Sequence, residues 1–133
     1  MRVLLDTNAY SDLARGHLPI TDRVRQAETV LLSSIVAGEL LGGFHRGTRF
    51  RENFADLQRF LAQPRVQLVP VSLTTADRYG RIYAALRRRG KPIPTNDMWI
   101  AAHAMETGAE LLSSDPHFQH IEGLAWTNPV RVT

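Results

Sequence analysis

Cysteine is absent from the 133 residues of this chain, which excludes disulfide bonds and metal sites built on thiolates. The sequence also lacks an apolar run long enough to span a membrane, and its N-terminus has no signal-peptide pattern. We therefore expect a cytoplasmic protein with no membrane partner. The length predicts a single domain, residues 1–133, with a core that needs no covalent cross-links.

Lysine is nearly absent too, because Lys91 is the single lysine among 16 basic residues. If the four acids discussed below are confined to one site, only nine of the 13 acidic residues remain to balance these 16 charges. Arginine binds phosphate in a bidentate manner, and a basic surface contributes the salt-dependent part of nucleic-acid affinity. The charge favours a nucleic-acid partner, with a compositional bias of the genome as the alternative explanation.

Short apolar runs alternate with helical patterns, which predicts an α/β fold with helices on both faces of a sheet. We expect one three-layer domain whose sheet is mostly parallel and has about five short strands. Proline cannot donate to a strand ladder, so the run that contains Pro70 is expected near the sheet edge. The five runs are residues 3–5, 30–33, 66–71, 110–113 and 124–127.

Two helices give specific expectations about burial. Residues 35–44 are apolar nearly all round, which is typical of a largely buried helix, and Ser34 is its expected N-cap. The helix that runs to Arg89 ends in four cations around Gly90, which either complement the helix dipole or form a phosphate-contacting edge. Its expected buried stripe is Leu73, Ala76, Tyr79, Tyr83 and Leu86.

Four acids occupy unusual positions. Asp6 and Asp115 each follow an apolar strand, at the edge where open α/β sheets bind ligands. Glu39 is the only charged residue of its apolar helix before His45, and Asp97 opens a later helix. Both helices are expected to begin at that same edge, so the four carboxylates can converge. Each acid also has a simpler explanation, as a helix cap, a first-turn residue, or a member of an exposed stripe or ion pair.

A pocket holds four carboxylates only where positive charge neutralises them. Oxygen ligands without cysteine or paired histidines select a hard cation such as Mg²⁺ or Mn²⁺. Two such ions about 3.5–4 Å apart can cleave a phosphodiester, one by activating water and the other by stabilising the leaving oxygen. His103 has no second histidine one helical turn away, so we expect it to be structural rather than a ligand.

The four acids lie in segments that resemble the PIN-domain nucleases, in particular the VapC toxins of bacterial toxin–antitoxin pairs. All four segments occur in order and at the usual spacings over essentially the whole chain. They are Val-Leu-Leu-Asp-Thr-Asn at residues 3–8, Ser-Ser-Ile-Val-Ala-Gly-Glu-Leu at 33–40, Asn-Asp at 96–97 before an alanine-rich helix, and Leu-Ser-Ser-Asp-Pro-His-Phe at 112–118.

The resemblance implies a Mg²⁺- or Mn²⁺-dependent endoribonuclease that cuts structured RNA such as transfer or ribosomal RNA. It also implies a homodimer that is inhibited by a cognate VapB antitoxin, whose tail occupies the acidic groove. Thr7 or Asn8, together with Ser113, would hydrogen-bond the acids, and Ser113 stands where the family usually has threonine. By position, the catalytic and metal-binding acids would be Asp6, Glu39, Asp97 and Asp115.

Two other functions are consistent with parts of the sequence. A phosphatase with an aspartyl nucleophile also places an acid after its first strand, but it needs a second acid two residues later, where this chain has Asn8. A catalytically weak RNA-binding or scaffold domain is the non-enzymatic alternative. The four acids count against it, because carboxylates repel a phosphate backbone unless a metal bridges them.

Overall fold

The computed structural model describes residues 1–130, in which five parallel strands form one sheet of order β3-β2-β1-β4-β5. The strands are β1 Arg2–Leu5, β2 Thr29–Ser33, β3 Val66–Val69, β4 Glu110–Leu112 and β5 Trp126–Thr127. The α-helices are α1 Thr7–Ala14, α2 Leu18–Gln26, α3 Ser34–Arg46, α4 Phe50–Leu61, α5 Leu73–Arg88 and α6 Thr95–Thr107. A 3-10 helix, Pro116–His120, follows β4. The predicted domain of residues 1–133 extends into residues 131–133, which lie outside the described part of the chain.

The sheet is built outward from its central strand, β1. Val3, Leu4 and Leu5 are inaccessible to solvent, as expected for a strand covered on both faces. Two helices separate each pair of successive strands from β1 to β4, and right-handed crossovers then place α1–α4 on one face and α5–α6 on the other. The predicted parallel α/β fold with five short strands is confirmed.

Each strand prediction is close to the observed bounds. The third run was expected to continue to Val71, but β3 ends at Val69, and it does lie at the sheet edge. The carbonyl oxygen of Pro70 turns away from the ladder and accepts a hydrogen bond from His103 Nε2 at 3.2 Å. Among the helices of residues 1–130, none is both long enough and apolar enough to cross a bilayer.

The prediction that α3 is largely buried is correct only for the face that packs on the core. Val36 and Leu40 are buried, and the partly buried Ile35, Ala37, Leu41 and Phe44 pack beside them. The predicted cap is also one residue late, because Ser33 is the N-cap and its hydroxyl oxygen accepts a hydrogen bond from the N–H of Ile35 at 3.0 Å. The outward face of α3 includes the exposed Gly38, Gly42 and Gly43, so this side of the helix needs no cover.

The predicted stripe of α5 is correct only in part, because Leu86 is buried and Tyr79 is partly buried, but Leu73 and Tyr83 are exposed. Thr75, Ile82 and Leu86 are the buried residues, whereas Leu73 is 86% exposed. The polar residue Thr75 can be buried on this face because its hydroxyl donates to Glu106 Oε1 on α6 at 2.6 Å. This bond satisfies the buried hydroxyl and fixes the rotation of α5 against α6.

Candidate active site at the carboxyl edge of the sheet

Neighbouring strands deliver Asp6 and Asp115 to the same edge of the sheet. β1 pairs with β4 in a register that sets Leu5 opposite Leu112. The ladder continues one residue further, because the N–H of Asp6 donates to Leu112 O at 3.0 Å. Asp6 is thereby placed beside Ser113, two residues before Asp115. The sequence prediction that these two strand ends lie side by side is confirmed by the sheet order.

Asp6 is a buried carboxylate held by several donors. Its Oδ2 accepts from the hydroxyl of Ser113 at 2.6 Å and from Nδ2 of Asn8 at 3.2 Å, and its Oδ1 accepts from the N–H of Thr7 at 2.8 Å. The last of these bonds makes Asp6 the N-cap of α1. The simpler explanation of Asp6 as a helix cap is therefore correct, and it is compatible with a place in an acidic site.

Asn8 and Ser113 form a bridge between the two acids at the strand ends. Asn8 donates to Ser113 Oγ at 3.2 Å and accepts at its Oδ1 from the N–H of Ser114 at 3.0 Å. Ser113 Oγ also accepts from the N–H of Asp115 at 3.0 Å. The sequence pattern predicted that Asn8 and Ser113 hydrogen-bond the acids, and both residues do so. The contact distances are those of ordinary hydrogen bonds, so they fix the positions of the acid side chains.

The electrostatics of the site are unfavourable for Asp6 as an anion. Burial raises its pKa from 3.8 to about 6. The hydrogen bonds from Ser113 and Thr7 lower the pKa and only partly offset burial, while the charges of Asp97 and Glu39 raise it further. A site whose acids resist ionisation together is one that a bound cation would stabilise.

Glu39 is half-buried in the second turn of α3 and is held by two uncharged side chains. The hydroxyl of Thr7 donates to its Oε1 at 2.6 Å, and Nδ2 of Asn96 donates to its Oε2 at 3.2 Å. Within residues 1–130, no arginine pairs with it, and its two oxygens are held by hydrogen bonds rather than free on an exposed stripe. Because Asn96 immediately precedes Asp97, the second bond also ties α3 to the start of α6.

Asp97 and Asp115 form the other side of the site, with His117 between them. Asp97 is buried in the first turn of α6, and Asp115 caps the 3-10 helix through a bond from the N–H of His117 to its Oδ1 at 2.9 Å. Nδ1 of His117 lies 3.0 Å from Asp97 Oδ2 and 3.0 Å from Asp115 Oδ1. Burial raises the pKa of Asp97, and the hydrogen bond from His117 partly counteracts this effect.

The sequence analysis missed the position of His117. Two signals pointed to it, since it stands two residues after a strand-end acid and directly after a proline that starts a helical turn. His103 is structural, as predicted: it is inaccessible, and it bonds to Ser33 and Pro70. Pro70 O can only accept, so Nε2 carries the proton and Nδ1 accepts from the hydroxyl of Ser33 at 2.8 Å.

The donor set at this edge fits a divalent metal ion. Ligand atoms of Asp97, Asp115 and His117 lie within 4.8 Å of one another, and Asp6 and Glu39 are near enough to act on the same electrostatic site. Carboxylate oxygens with one imidazole nitrogen are ordinary ligands of divalent ions. Such a cluster can bind a divalent ion.

The chain is similar to one well-defined group of proteins. The model of the PIN domain matches residues 3–124. Ribonuclease VapC2 of Haemophilus influenzae is 33% identical over 117 residues, which cover 86% of this chain and 87% of that protein. The tRNA(fMet)-specific endonuclease VapC of Shigella flexneri is 28% identical, over 93% of this chain and 95% of that protein.

Solved structures give the same result for the fold. In the crystal structure of VapBC2 from Rickettsia felis bound to a DNA fragment from its promoter, one chain superposes on this one with a TM-score of 0.86. That match has 26% identity and covers 96% of this chain and 98% of the other.

Proposed function

The chain belongs to the PIN-domain family and, within it, to the VapC ribonucleases, and on this premise we propose that it is a metal-dependent endoribonuclease that acts as the toxin of a toxin–antitoxin pair. The observation that carries the proposal is the convergence of Asp6, Glu39, Asp97 and Asp115 at one edge of the sheet. These four acids are proposed to be both the catalytic residues and the metal ligands.

Mg²⁺ or Mn²⁺ is the proposed cofactor, because the ligands are predominantly carboxylate oxygens. When bound, the ion supplies Lewis-acid polarisation of the phosphate and a water that is more readily deprotonated. The raised pKa values of Asp6 and Asp97 support this assignment, since a cation at the edge would return both groups to their charged, ligating form.

The chain's own residues act mainly by positioning. Ser113 and the N–H of Thr7 fix both oxygens of Asp6, so its orientation does not have to be ordered during the reaction. The hydroxyl of Thr7 and the amide of Asn96 orient Glu39 in the same way. Asn8 locks the end of β4 against β1 and thereby sets the spacing between Asp6 and Asp115.

A structured RNA, transfer or ribosomal, is the proposed substrate. The name of the relative from Shigella flexneri specifies a transfer RNA, and the surplus of arginine over acids outside the site suits a phosphate backbone. Carboxylates without a cation repel that backbone, so metal binding and RNA binding are expected to depend on each other.

A cognate VapB-type antitoxin is the proposed protein partner, and its tail is proposed to occupy the acidic groove. The related structure from Rickettsia felis is a VapBC complex, and four clustered acids are complementary to a cationic segment. We also propose a homodimer. The exposed Leu73 and Tyr83 on α5 support this proposal because they offer apolar surface for a second copy.

RNA cleavage by purified, antitoxin-free protein tests the proposal. Total RNA would be incubated with Mg²⁺, with Mn²⁺ and with EDTA, using the wild type, Asp6→Asn and Asp97→Asn. The metals are expected to support cleavage and EDTA to abolish it. Each substitution should lower the rate by about a thousandfold or more, because it removes several kcal/mol of metal-dependent transition-state stabilisation.

Asp77→Asn is the matched control, since Asp77 is an exposed acid on α5 that pairs with Arg81. This variant should cleave like the wild type. Wild-type rates in Asp6→Asn or Asp97→Asn would contradict the assigned acids. Absence of cleavage by a folded, antitoxin-free protein with either metal would instead favour the RNA-binding alternative.

A further inference from the structure

His117 occupies its position because of the acids rather than because of packing. The side chain is 47% exposed, so little apolar burial holds the ring in place. Nδ1 is nevertheless equidistant from Asp97 Oδ2 and Asp115 Oδ1, at 3.0 Å from each. Ionised carboxylates only accept hydrogen bonds, so one Nδ1 proton is shared between two anions. The geometry therefore places the Nδ1 atom of His117 between these two carboxylates.

The backbone fixes this arrangement from both ends of the 3-10 helix. At its start, Asp115 is the N-cap, and its Oδ1 accepts a hydrogen bond from the N–H of His117 at 2.9 Å, with Pro116 between the two residues. At its end, Nη1 of Arg89 donates to the carbonyl oxygen of His120 at 2.6 Å. The fold thus positions the backbone of His117, and the two acids then hold its ring.

The distances are those of neighbouring ligands on a metal ion. Adjacent ligands of an octahedral ion with bonds of about 2.0–2.1 Å are separated by about 2.9–3.0 Å. Both nitrogen–oxygen distances equal 3.0 Å, and the three donor atoms lie within 4.8 Å of one another. Exchange of the shared proton for a divalent ion needs little movement of these side chains.

We propose that Nδ1 of His117 is a direct ligand of the divalent ion on the Asp97–Asp115 side of the site, and that this nitrogen makes the site select Mn²⁺ over Mg²⁺. The physical basis is a difference of degree, because both ions take oxygen ligands, but Mg²⁺ gives up its waters reluctantly and Mn²⁺, a transition ion, tolerates one nitrogen better. The proposal rests on the metal-dependent nuclease function proposed above. It changes the predicted oxygen-only ligand set to a mixed one.

The competing role for His117 is that of a stand-in cation. In that case the protonated ring neutralises the two acids only while no ion is present, and it leaves when an ion binds. The two roles predict opposite results, because removal of a ligand weakens metal binding whereas removal of a competing cation strengthens it.

Pulsed electron paramagnetic resonance of Mn²⁺-loaded protein tests for the nitrogen directly and does not depend on activity. The wild type should show a ¹⁴N coupling that changes when all histidines carry ¹⁵N. His117→Ala should lose the coupling. His120→Ala is the matched control, since it removes another histidine of the same 3-10 helix, and it should retain the coupling. Bound Mn²⁺ without nitrogen coupling in the wild type would overturn the proposal.

Titration calorimetry with each metal alone provides the second measurement. His117→Ala should bind Mn²⁺ at least about tenfold more weakly, with a smaller loss for Mg²⁺, so that the preference for Mn²⁺ falls. Unchanged or tighter Mn²⁺ binding would favour the stand-in cation. Suppose that the wild type binds Mn²⁺ without nitrogen coupling and that Asp97→Asn abolishes this binding. That result would reject only the role of His117. Failure of the wild type to bind Mn²⁺ or Mg²⁺ would reject the metal-dependent function together with it.

Discussion

Two segments with the same sequence, Leu-Leu-Ser-Ser at residues 31–34 and 111–114, end the two strands that flank β1. In both segments the first serine is inaccessible to solvent. Ser33 bonds to His103 and caps α3, which are structural roles. Ser113 bonds to Asp6 and to the N–H of Asp115, at the candidate active site. Identical local sequence therefore serves stability on one side of β1 and the proposed chemistry on the other.

The difference arises from the neighbours that each serine meets. The ladder between β1 and β4 extends to the N–H of Asp6, which draws this acid toward Ser113. On the other side, Ser33 faces α6, where His103 offers a bare ring nitrogen. A hydroxyl donates to whichever strong acceptor is within reach, so tertiary context rather than the tetrapeptide decides its role.

Of the changes that test this comparison, Ser113→Ala is expected to have the largest effect. This change removes the donor to Asp6 Oδ2 and the acceptor for the N–H of Asp115. We expect kcat/KM for RNA cleavage to fall by about 10–100-fold, as for other residues that orient metal ligands. Cleavage assays at a temperature where circular dichroism shows folded protein would measure this effect. Wild-type kcat/KM in that assay would remove the functional distinction between the two serines.

A smaller effect, on stability and not on cleavage, is expected for Ser33→Ala. The substitution removes the cap of α3 and leaves Nδ1 of His103 buried without its donor. The free energy of unfolding should fall by about 1–3 kcal/mol, measured by urea denaturation. The kcat/KM of the folded variant should equal that of the wild type. A loss of cleavage as large as that of Ser113→Ala would mean that both strand ends serve catalysis.

The smallest expected effect is a pH dependence of the free energy of unfolding that comes from His103, the partner of Ser33. Burial lowers the pKa of His103 below its ordinary 6.5. As the pH falls below 6.5, His103 of the unfolded chain takes up a proton, whereas His103 of the folded protein stays neutral. Stability that is present above pH 6.5 is therefore lost as the pH falls. Between about pH 8 and pH 5.5, the wild type should therefore lose more unfolding free energy than His103→Gln.

Urea denaturation of both proteins at each pH checks this expectation. Taking the difference between them removes the contribution of Asp6, whose raised pKa acts in the opposite direction as the pH falls. Equal slopes for the two proteins would show that His103 is not held neutral by the fold.

Much of the fold was predictable, because each strand is a short apolar run with clear polar boundaries. Asp6 and Asp115 were identifiable because each follows an apolar strand, and Glu39 because it is the only charged residue in an otherwise apolar stretch of helix. Asp97 gave the weakest signal, since an acid in the first turn of a helix is common. The structure places Asp6 and Asp115 at adjacent strand ends, and it places Glu39 and Asp97 within their electrostatic range. Their assignment as metal ligands stays a prediction until the variants are measured.

The remaining errors have a common physical cause. The rotation of α5 depends on a bond between Thr75 and Glu106, which lie 31 residues apart, and no helical periodicity encodes that pairing. His117 was missed because its partners are Asp115, nearby in sequence, and Asp97, which is 20 residues away. In each case a polar contact between distant segments decided the outcome, whereas apolar periodicity reports only on local structure.

The bond between Ser113 and Asp6 joins residues 107 positions apart, which affects how the protein can be made. β1 leaves the ribosome early, but its β4 neighbour follows only after residue 110. Parallel pairings across such separations form late and slowly. A growing chain therefore cannot complete the acidic edge until residue 115 has been synthesised. For a nuclease that is translated amid ribosomal and transfer RNA, this order of synthesis means that a nascent chain shorter than 115 residues lacks the complete set of acids.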